Sequence, residues 1–201
     1  MNKEPENSNS RDQKDDYALI KAFQNDERAA FDALVLRYKD RIFNLCIRFL
    51  GDYQDAEDTV QDVFVKTFNS LKKFRFESSF FTWLYRITIN SCKNKVKSID
   101  YRFRRADARI DITEEYPEGF GDKMDSSGNP SNELENKEIM TILQNAINSL
   151  PSDQKSVVIL RDMQGLSYEE IAEITGFKLG TIKSRISRAR SALREKLGDI
   201  I

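Results

Sequence analysis

The sequence predicts an all-α protein of two small helical domains joined by a flexible acidic linker. Apolar residues recur at three- and four-residue steps on both sides of the linker, and no stretch alternates as a strand would. Pro, Gly and acidic residues are concentrated at 103–132. We therefore expect a disordered tail at 1–14, an N-terminal domain at 15–102, the linker at 103–132 and a C-terminal domain at 133–201.

Charge is balanced overall but unevenly distributed. The 201 residues include 32 Lys and Arg against 33 Asp and Glu, a net charge of −1. The basic residues cluster at 93–105 and 178–196, which favours nucleic-acid contacts at those two places. The chain has no His, the usual general base and the commonest metal ligand. We expect no catalytic residues, no metal, no cofactor and no small-molecule substrate.

The two cysteines, Cys46 and Cys92, lie within predicted helices far apart in sequence. Their pattern favours small reduced core residues, and a regulatory disulfide between them is the alternative. No apolar run reaches the length of a membrane span or resembles a signal peptide. We expect a cytoplasmic protein with no direct membrane insertion.

Three helices are predicted before residue 72. Asp15 or Asp16 could cap the first, and Gly51 ends a strongly amphipathic second helix that contains Phe31 and Tyr38. The third starts near Asp55 and has acidic and amide side chains in its first turns, among them Asp58, Gln61 and Asp62. The helix dipole alone explains acids there, at about 0.3–1 kcal/mol each.

An aromatic loop at 72–81 leads to a basic helix. Four of its residues are Phe, which is unusual for a solvent-exposed loop, so some should anchor in the core and others could stack on an unpaired base. Thr82 opens the next helix, whose second half is rich in amides and lysines. Two interpretations remain open: a nucleic-acid surface, or core aromatics beside solvated lysines.

The second domain is predicted to contain four short helices. The first ends before Pro151, and Ser152 or Asp153 could cap the second. Ser167 and Glu170 form a capping-box pattern at the start of the third, and Gly176 supplies the turn after it.

The last helix, near 179–197, is predicted to be apolar on one face and basic on the other. Ile182, Ile186 and Ala189 fall at helical spacing and can pack against the preceding helix. A short helix, a Gly turn and a basic second helix are typical of a helix-turn-helix that enters the DNA major groove. The candidate DNA-binding residues are Thr181, Lys183, Ser184, Arg185, Ser187 and Arg188.

Three segments, taken together, resemble the extracytoplasmic-function (ECF) sigma factors of bacterial RNA polymerase, in the RpoE-like group of the sigma-70 family. They are DAEDTVQDVFVKTF (55–68), FESSFFTWLYRITINSCKN (76–94) and GLSYEEIAEITGFKLGTIKSRISRARSALREKL (165–197). Their order and spacing match the family over nearly the whole chain. On this resemblance the two domains are sigma region 2 and sigma region 4.

The resemblance implies binding to core RNA polymerase, at its clamp helices and flap, recognition of two promoter elements, and help with DNA melting. The helix at 55–68 would dock on the clamp helices through Asp58, Gln61 and Asp62. The aromatic loop would hold a flipped base of the −10 element, and the helix-turn-helix would read the −35 element. The −10 residues implied are Phe74, Phe81, Asn90, Lys93 and Asn94.

Within the helix-turn-helix, the resemblance assigns Lys183, Ser184, Ser187 and Arg188 to bases, and Thr181 and Arg185 to phosphates. It also implies an anti-sigma factor as a partner. The linker has 30 residues, and a random coil of that length spans only roughly 30 Å. Sites two DNA turns apart are separated by about 70 Å, so the linker must be extended in the complex.

Two other kinds of protein fit part of the pattern: a stand-alone helix-turn-helix regulator and a protein-binding module. A regulator that binds only duplex DNA has no use for an aromatic single-strand pocket, so the basic helix at 81–97 favours the sigma factor. The basic face at 178–196 argues against a module that binds only protein.

Overall fold

The computed structural model describes residues 8–98 and 130–198, with side chains at 15–98 and 139–198. These residues form helices and connecting turns, as predicted. The helices are α1 (Ser8–Gln24), α2 (Ala29–Leu50), α3 (Tyr53–Leu71), α4 (Phe80–Lys97), α5 (Pro130–Asn148), α6 (Ser152–Val158), α7 (Tyr168–Thr175) and α8 (Leu179–Leu197). Ile159–Met163 continues α6 as a π-helical turn.

The central helix of the first domain is α2, and α1, α3 and α4 pack around it. Its apolar face is fully buried, including Tyr38, Ile42 and Leu45. Burial of a large apolar side chain stabilises a fold by about 1.5–3 kcal/mol, so this face accounts for much of the domain's stability. Phe31 and Tyr38 lie in the core, as their spacing predicts.

The first helix differs from its prediction. It begins at Ser8, not at Asp15 or Asp16, so the predicted tail boundary at 14 is wrong for residues 8–14. Asp16 does not cap the helix: it is buried and accepts hydrogen bonds from the Tyr38 hydroxyl and from Arg37 Nη1 at 2.8 Å. Burial of a carboxylate requires such partners, and they come from α2.

Local signals set the ends of the other helices in this domain. Gly51 ends α2 in the left-handed conformation (φ 69°), as predicted. Asp52 caps α3, where its carboxylate accepts from the Asp55 amide at 2.7 Å. Ser79 caps α4 and accepts from the Thr82 amide at 3.0 Å, so α4 begins two residues before Thr82.

The second domain is built from α5 to α8. Its first helix begins at Pro130, a favourable first-turn residue because proline lacks an amide hydrogen, and not after 132. The residue before α6 is Pro151, and neither Ser152 nor Asp153 caps that helix, contrary to prediction. The predicted linker at 103–132 falls almost entirely outside the described residues.

The helix-turn-helix forms as the sequence predicts. Ser167 and Glu170 make the reciprocal capping box at the start of α7, and Gly176 ends it with φ 73°. Ile171 and Ile174 of α7 are buried against Ile182 and Ile186 of α8. This packing fixes which side of α8 faces outward.

The two domains contact each other. The helix α4 packs against α7, and α2 packs against α5. The Gln144 side chain of α5 donates to the Arg48 carbonyl oxygen at 3.1 Å, which joins the second pair of helices. The contact between the domains also places Lys93 of α4 and Arg185 of α8 beside the same carboxylate, that of Asp153.

Candidate nucleic-acid interface

The outward side of α8 carries most of the predicted DNA-binding residues. Lys183, Ser184, Ser187 and Arg188 are exposed, and Thr181 is half-buried. The Ser184 hydroxyl donates to the Thr181 carbonyl oxygen at 2.9 Å, a bond it can exchange for one to DNA. Two charges and two hydroxyls thus lie on the exposed surface of the first half of α8, where a recognition helix meets base edges.

Arg185 is placed differently from its neighbours. Its guanidinium carbon lies 3.8 Å from the centre of the Phe177 ring, and Nη2 lies 3.0 Å from a carboxylate oxygen of Asp153. Its side chain is consequently half-buried. In this arrangement the Arg185 guanidinium is engaged by protein groups, Phe177 and Asp153.

The second half of α4 presents two exposed amides, Asn90 and Asn94, one helical turn apart. Lys93, between them in sequence, is only 17% exposed at its side chain. Its Nζ lies 2.8 Å from Asp153 Oδ1 and 5.2 Å from the Phe177 ring centre. The amides are therefore accessible to a nucleic acid, whereas Lys93 is engaged by the second domain.

The aromatic loop is anchored from within, as predicted for part of it. Phe74 is 9% exposed, and its ring centre lies 5.0 Å from that of Trp83. Phe80 is also buried, and it packs against Tyr38. Phe81 is half-buried, with its ring centre 4.1 Å from that of Tyr85. Phe74 and Phe80 therefore anchor the loop in the core, and the Phe81 ring is more accessible than either of them.

The exposed face of α3 carries Asp58, Gln61 and Asp62 on successive turns. Lys95 of α4 lies 3.4 Å from Asp58 and 3.2 Å from the buried Asp55. Burial lowers the pKa of Lys95, but its hydrogen bonds and charge contacts with Asp55 and Asp58 outweigh burial and raise it overall. Lys95 therefore joins α3 to α4 and leaves about half of the Asp58 side chain exposed.

Asp153 is the residue at which the two basic surfaces meet. It accepts from Lys93 of the first domain and pairs with Arg185 of the second. Burial raises the pKa of Asp153, but the hydrogen bond and charge of Lys93 and the charge of Arg185 outweigh it, so the pKa lies below its ordinary value. Sequence reasoning missed this contact, because nothing local to Asp153 identifies a partner 60 residues away.

Further hydrogen bonds cross between the domains. A guanidinium nitrogen of Arg86 donates to the Glu173 carbonyl oxygen, and the Tyr85 hydroxyl lies 3.3 Å from Gln164 Oε1. Burial raises the pKa of Tyr85 to about 12, so its hydroxyl is protonated at neutral pH and donates this bond. Both contacts arise from α4, the helix that also carries Asn90 and Asn94.

The predicted core cysteines are confirmed as free and buried, and they face each other across α2 and α4. The Sγ atoms of Cys46 and Cys92 are 3.8 Å apart. The hydrogen bond between the two thiols and their burial raise the pKa of Cys46 well above its ordinary value. A protonated thiol is a poor nucleophile, which disfavours reaction at Cys46, and both cysteines are buried in the folded state.

Residues 15–98 and 139–198 bring together no group of three or more acidic or Cys side chains able to hold a metal ion. The helices within the described ranges are too short or too polar to cross a membrane. The surfaces of α3, α4 and α8 are thus the main candidates for function.

Comparison with protein families matches both domains. The family model for sigma-70 region 2 matches residues 34–102, and the model for sigma-70 region 4 matches residues 140–193. The first range contains the faces of α3 and α4, and the second contains the helix-turn-helix. The order of the two matches is that predicted from the sequence segments.

Curated relatives match across nearly the whole chain. The sequence is 37% identical to the ECF RNA polymerase sigma-E factor of Haemophilus influenzae, over 90% of this chain and 95% of the relative. It is 38% identical to the RNA polymerase sigma-H factor of Pseudomonas aeruginosa, over 94% of this chain and 97% of that protein. It is 37% identical to the sigma-E factor of Escherichia coli, over 92% and 96%.

Two solved structures share the fold. One is CnrH in complex with the cytosolic domain of CnrY, with a TM-score of 0.65, 25% identity and coverage of 93% of this chain and 99% of that one. The other is the sigma factor RpoE in complex with the anti-sigma factor NepR from Bartonella quintana, with a TM-score of 0.60, 28% identity and coverage of 85% and 98%. Together with the matches to regions 2 and 4, these findings show that the chain belongs to the ECF sigma factors of the sigma-70 family.

Proposed function

We propose that this sigma factor binds core RNA polymerase through α3, engages the −10 element with α4 and the aromatic loop, and reads the −35 element with α8. The proposal rests on one observation: the chain contains both sigma regions, and α3, α4 and α8 each have an exposed polar face. Relatives named as RNA polymerase sigma factors, matched over nine-tenths of this chain, support it.

The polymerase-binding face that we propose consists of Asp58, Gln61 and Asp62. Their side chains are exposed on successive turns of α3, while the opposite side of that helix is buried against α2 and α4. Two carboxylates and an amide suit a basic partner surface, for which the clamp helices of core polymerase are the candidate. Region 4 would make a second contact, at the flap of the polymerase.

The −10 surface that we propose combines exposed amides with an anchored aromatic loop. Asn90 and Asn94 offer a donor and an acceptor each, as base edges require. Phe81 is the half-exposed ring available for stacking on an unpaired base. Phe74, buried beneath the loop, would shape the pocket, and Lys93 would contact DNA after leaving Asp153.

On α8 we propose a division between base and phosphate contacts. Lys183, Ser184, Ser187 and Arg188 are exposed and would lie in the major groove of the −35 element. Thr181, at the start of the helix, and Arg185, once released from Asp153, would contact phosphates.

The domain limits that we propose are region 2 at 15–102, a linker at 103–132 and region 4 at 133–201, with α1 as an extension of region 2 from Ser8. The sigma-factor family supports a chain without catalytic activity of its own that acts on transcription in the cytoplasm. Because two solved relatives are bound to CnrY and to an anti-sigma factor, we also propose that an anti-sigma factor inhibits this chain.

Size-exclusion chromatography with bacterial core RNA polymerase tests the proposal. We expect co-elution at near-equal stoichiometry, displacement by another sigma factor, and promoter-specific transcription only from the mixture. A folded chain that fails to co-elute and binds duplex DNA alone would favour the stand-alone regulator instead.

A further inference from the structure

The backbone of the aromatic loop is strained at one residue. Phe76 has φ +59°, in the left-handed region that a bulky side chain rarely adopts. Glycine would adopt this conformation without strain, so the phenyl ring must contribute contacts that compensate for it. Such outliers are concentrated at ligand-binding segments, so Phe76 is a candidate ligand contact.

The Phe76 ring is the middle of a row of three aromatic rings that runs from the core to the surface. Its centre lies 5.0 Å from that of buried Phe74 and 4.7 Å from that of Tyr17 on α1. Tyr17 is 53% exposed. The Nζ atom of Lys21, one turn further along α1, lies 4.9 Å from the Phe76 ring centre and 5.8 Å from that of Tyr17.

Core packing accounts for the partly buried Phe76 ring but not for the exposed Tyr17 ring. A ring placed for burial alone would be covered, whereas Tyr17 is largely exposed and a cation lies beside both outer rings. Exposed rings next to Lys or Arg are the usual platform for single-stranded nucleic acids, because every base has a face that can stack.

The local charge also suits a nucleic-acid strand. Arg75, next to Phe76, has a side chain that is 83% exposed and approaches Glu77 only at 4.0 Å. The acids that precede Tyr17 are both paired with Arg37, Asp16 at 2.8 Å and Asp15 at 3.6 Å. Lys21 and Arg75 therefore remain available for phosphates beside the exposed Tyr17 ring and the half-buried Phe76 ring.

We propose that Tyr17, Lys21 and Phe76 form a second stacking site, which holds an unpaired base of the promoter strand that the −10 surface separates. Phe76 belongs to the aromatic loop but is not one of the five residues proposed for the −10 element, and α1 supplies the other two members, Tyr17 and Lys21. It rests on the proposed promoter-melting function, since only a melted promoter offers an unpaired base. The occupant is a DNA base without sequence preference, because the site has rings and a cation but no amide.

The test uses polymerase holoenzyme and single-stranded oligonucleotides of the −10 non-template strand, each with one abasic position. In Phe76→Gly the ring is removed and the left-handed backbone is kept, so the loop conformation is preserved. We expect this variant to bind the intact strand about 5- to 100-fold more weakly. When the abasic position is the one that the site binds, wild type and variant should bind equally, because the Phe76 ring then has no base to stack on.

Tyr17→Ala should show the same loss and the same abasic position, whereas Tyr53→Ala, which removes a half-exposed ring on α3, should behave as wild type. Strand binding by Phe76→Gly and Tyr17→Ala equal to wild type at every position would overturn the second site and leave the proposed function intact. Failure of the wild-type holoenzyme to bind any −10 strand would overturn both.

Discussion

Arg185 and Arg188 are three residues apart on α8, yet their surroundings differ. Arg188 is exposed, whereas Arg185 lies against Phe177 and Asp153. The helical pattern assigns both arginines to the basic face of α8. Their different surroundings become evident only from the three-dimensional packing around Arg185.

Arg188→Ala should weaken binding to the −35 element by about 1–3 kcal/mol and relax specificity at one base pair, because a bidentate base contact would be lost. Holoenzyme affinity for duplexes that vary one base pair at a time measures this. Arg194→Ala, which removes an exposed arginine near the end of the same helix, is the matched control and should keep the specificity. Unchanged base preference in Arg188→Ala would contradict the assignment.

The pH dependence of stability should include a contribution from Asp153. Its pKa is lowered in the folded protein, so the stabilisation is present above the unfolded-state pKa, about 3.8, and is lost as pH falls through the folded-state value. Because the carboxylate is 44% exposed, we expect a loss of no more than about 1 kcal/mol.

Urea unfolding at pH 7 and at pH 3 measures this contribution. Asp153→Asn should lower the free energy of unfolding at pH 7 and have a smaller effect at pH 3, because protonation of the wild-type carboxylate progressively removes the ion pair as the pH falls. Equal destabilisation at both pH values would indicate a packing effect and not the loss of an ion pair.

Asp153 also shows where prediction from sequence ends at this scale. Its position after Pro151 predicts a helix cap, which is a local property, and the structure shows an ion pair with Lys93 instead. The exposed face of α8, by contrast, follows from apolar spacing alone. Ile182 and Ile186 lie on one face of the helix and are buried, so the opposite face must be exposed. Long-range pairs between charged side chains have no such periodic signal.

The sequence predicts helix ends well at the capping box and at the glycine turns, whereas it does not predict the side-chain caps Asp52 and Ser79. The Ser167–Glu170 capping box and the turn at Gly176 are both present. The sequence does not predict the start of α1, because residues 8–14 carry no apolar periodicity. Caps are local, whereas the length of a polar helix depends on what it packs against.

Ser167→Ala should reduce the stability of the second domain by about 1 kcal/mol, because it leaves amide groups at the start of α7 without an acceptor. Thermal unfolding measures this change. Ser187→Ala, an exposed position within α8, is the control and should be neutral or slightly stabilising, since alanine favours helix. Equal stability of the two variants would contradict a capping role.

The exposed face of α3 can be tested as a unit. Asp58→Arg with Asp62→Arg should abolish binding to core polymerase without unfolding the chain, because both side chains are exposed and the reversal repels a basic partner. Co-elution with core polymerase is the readout. Glu27→Arg, between α1 and α2, gives a charge reversal at another exposed position and should co-elute normally.

The two proposed promoter surfaces cannot both bind DNA while the two domains are in contact. Lys93 and Arg185 meet at the same carboxylate, and α4 lies against α7. Promoter elements two DNA turns apart require the two surfaces to be separated by about 70 Å. The domains must therefore part when the promoter is bound.

The contact between the domains is suited to such opening. It includes ion pairs and hydrogen bonds that water can replace. In addition, Nη1 of Arg185 is buried without a hydrogen-bond partner among the described residues. A buried donor of this kind costs about 1–3 kcal/mol, which opening recovers. Part of the cost of separating the domains is thus already offset in the closed arrangement.

Energy transfer between dyes attached through Asn69→Cys on α3 and Lys196→Cys on α8 should measure the opening. Both positions are exposed and the native thiols are buried, so labelling should favour the introduced cysteines. We expect efficient transfer in the free chain and a large decrease with core polymerase and promoter DNA. Asp153→Ala, which removes the shared carboxylate, should lower the transfer in the free chain. If transfer stays the same on promoter binding, the domains act as one rigid body, and the proposed roles of Lys93 and Arg185 in DNA contact would be wrong.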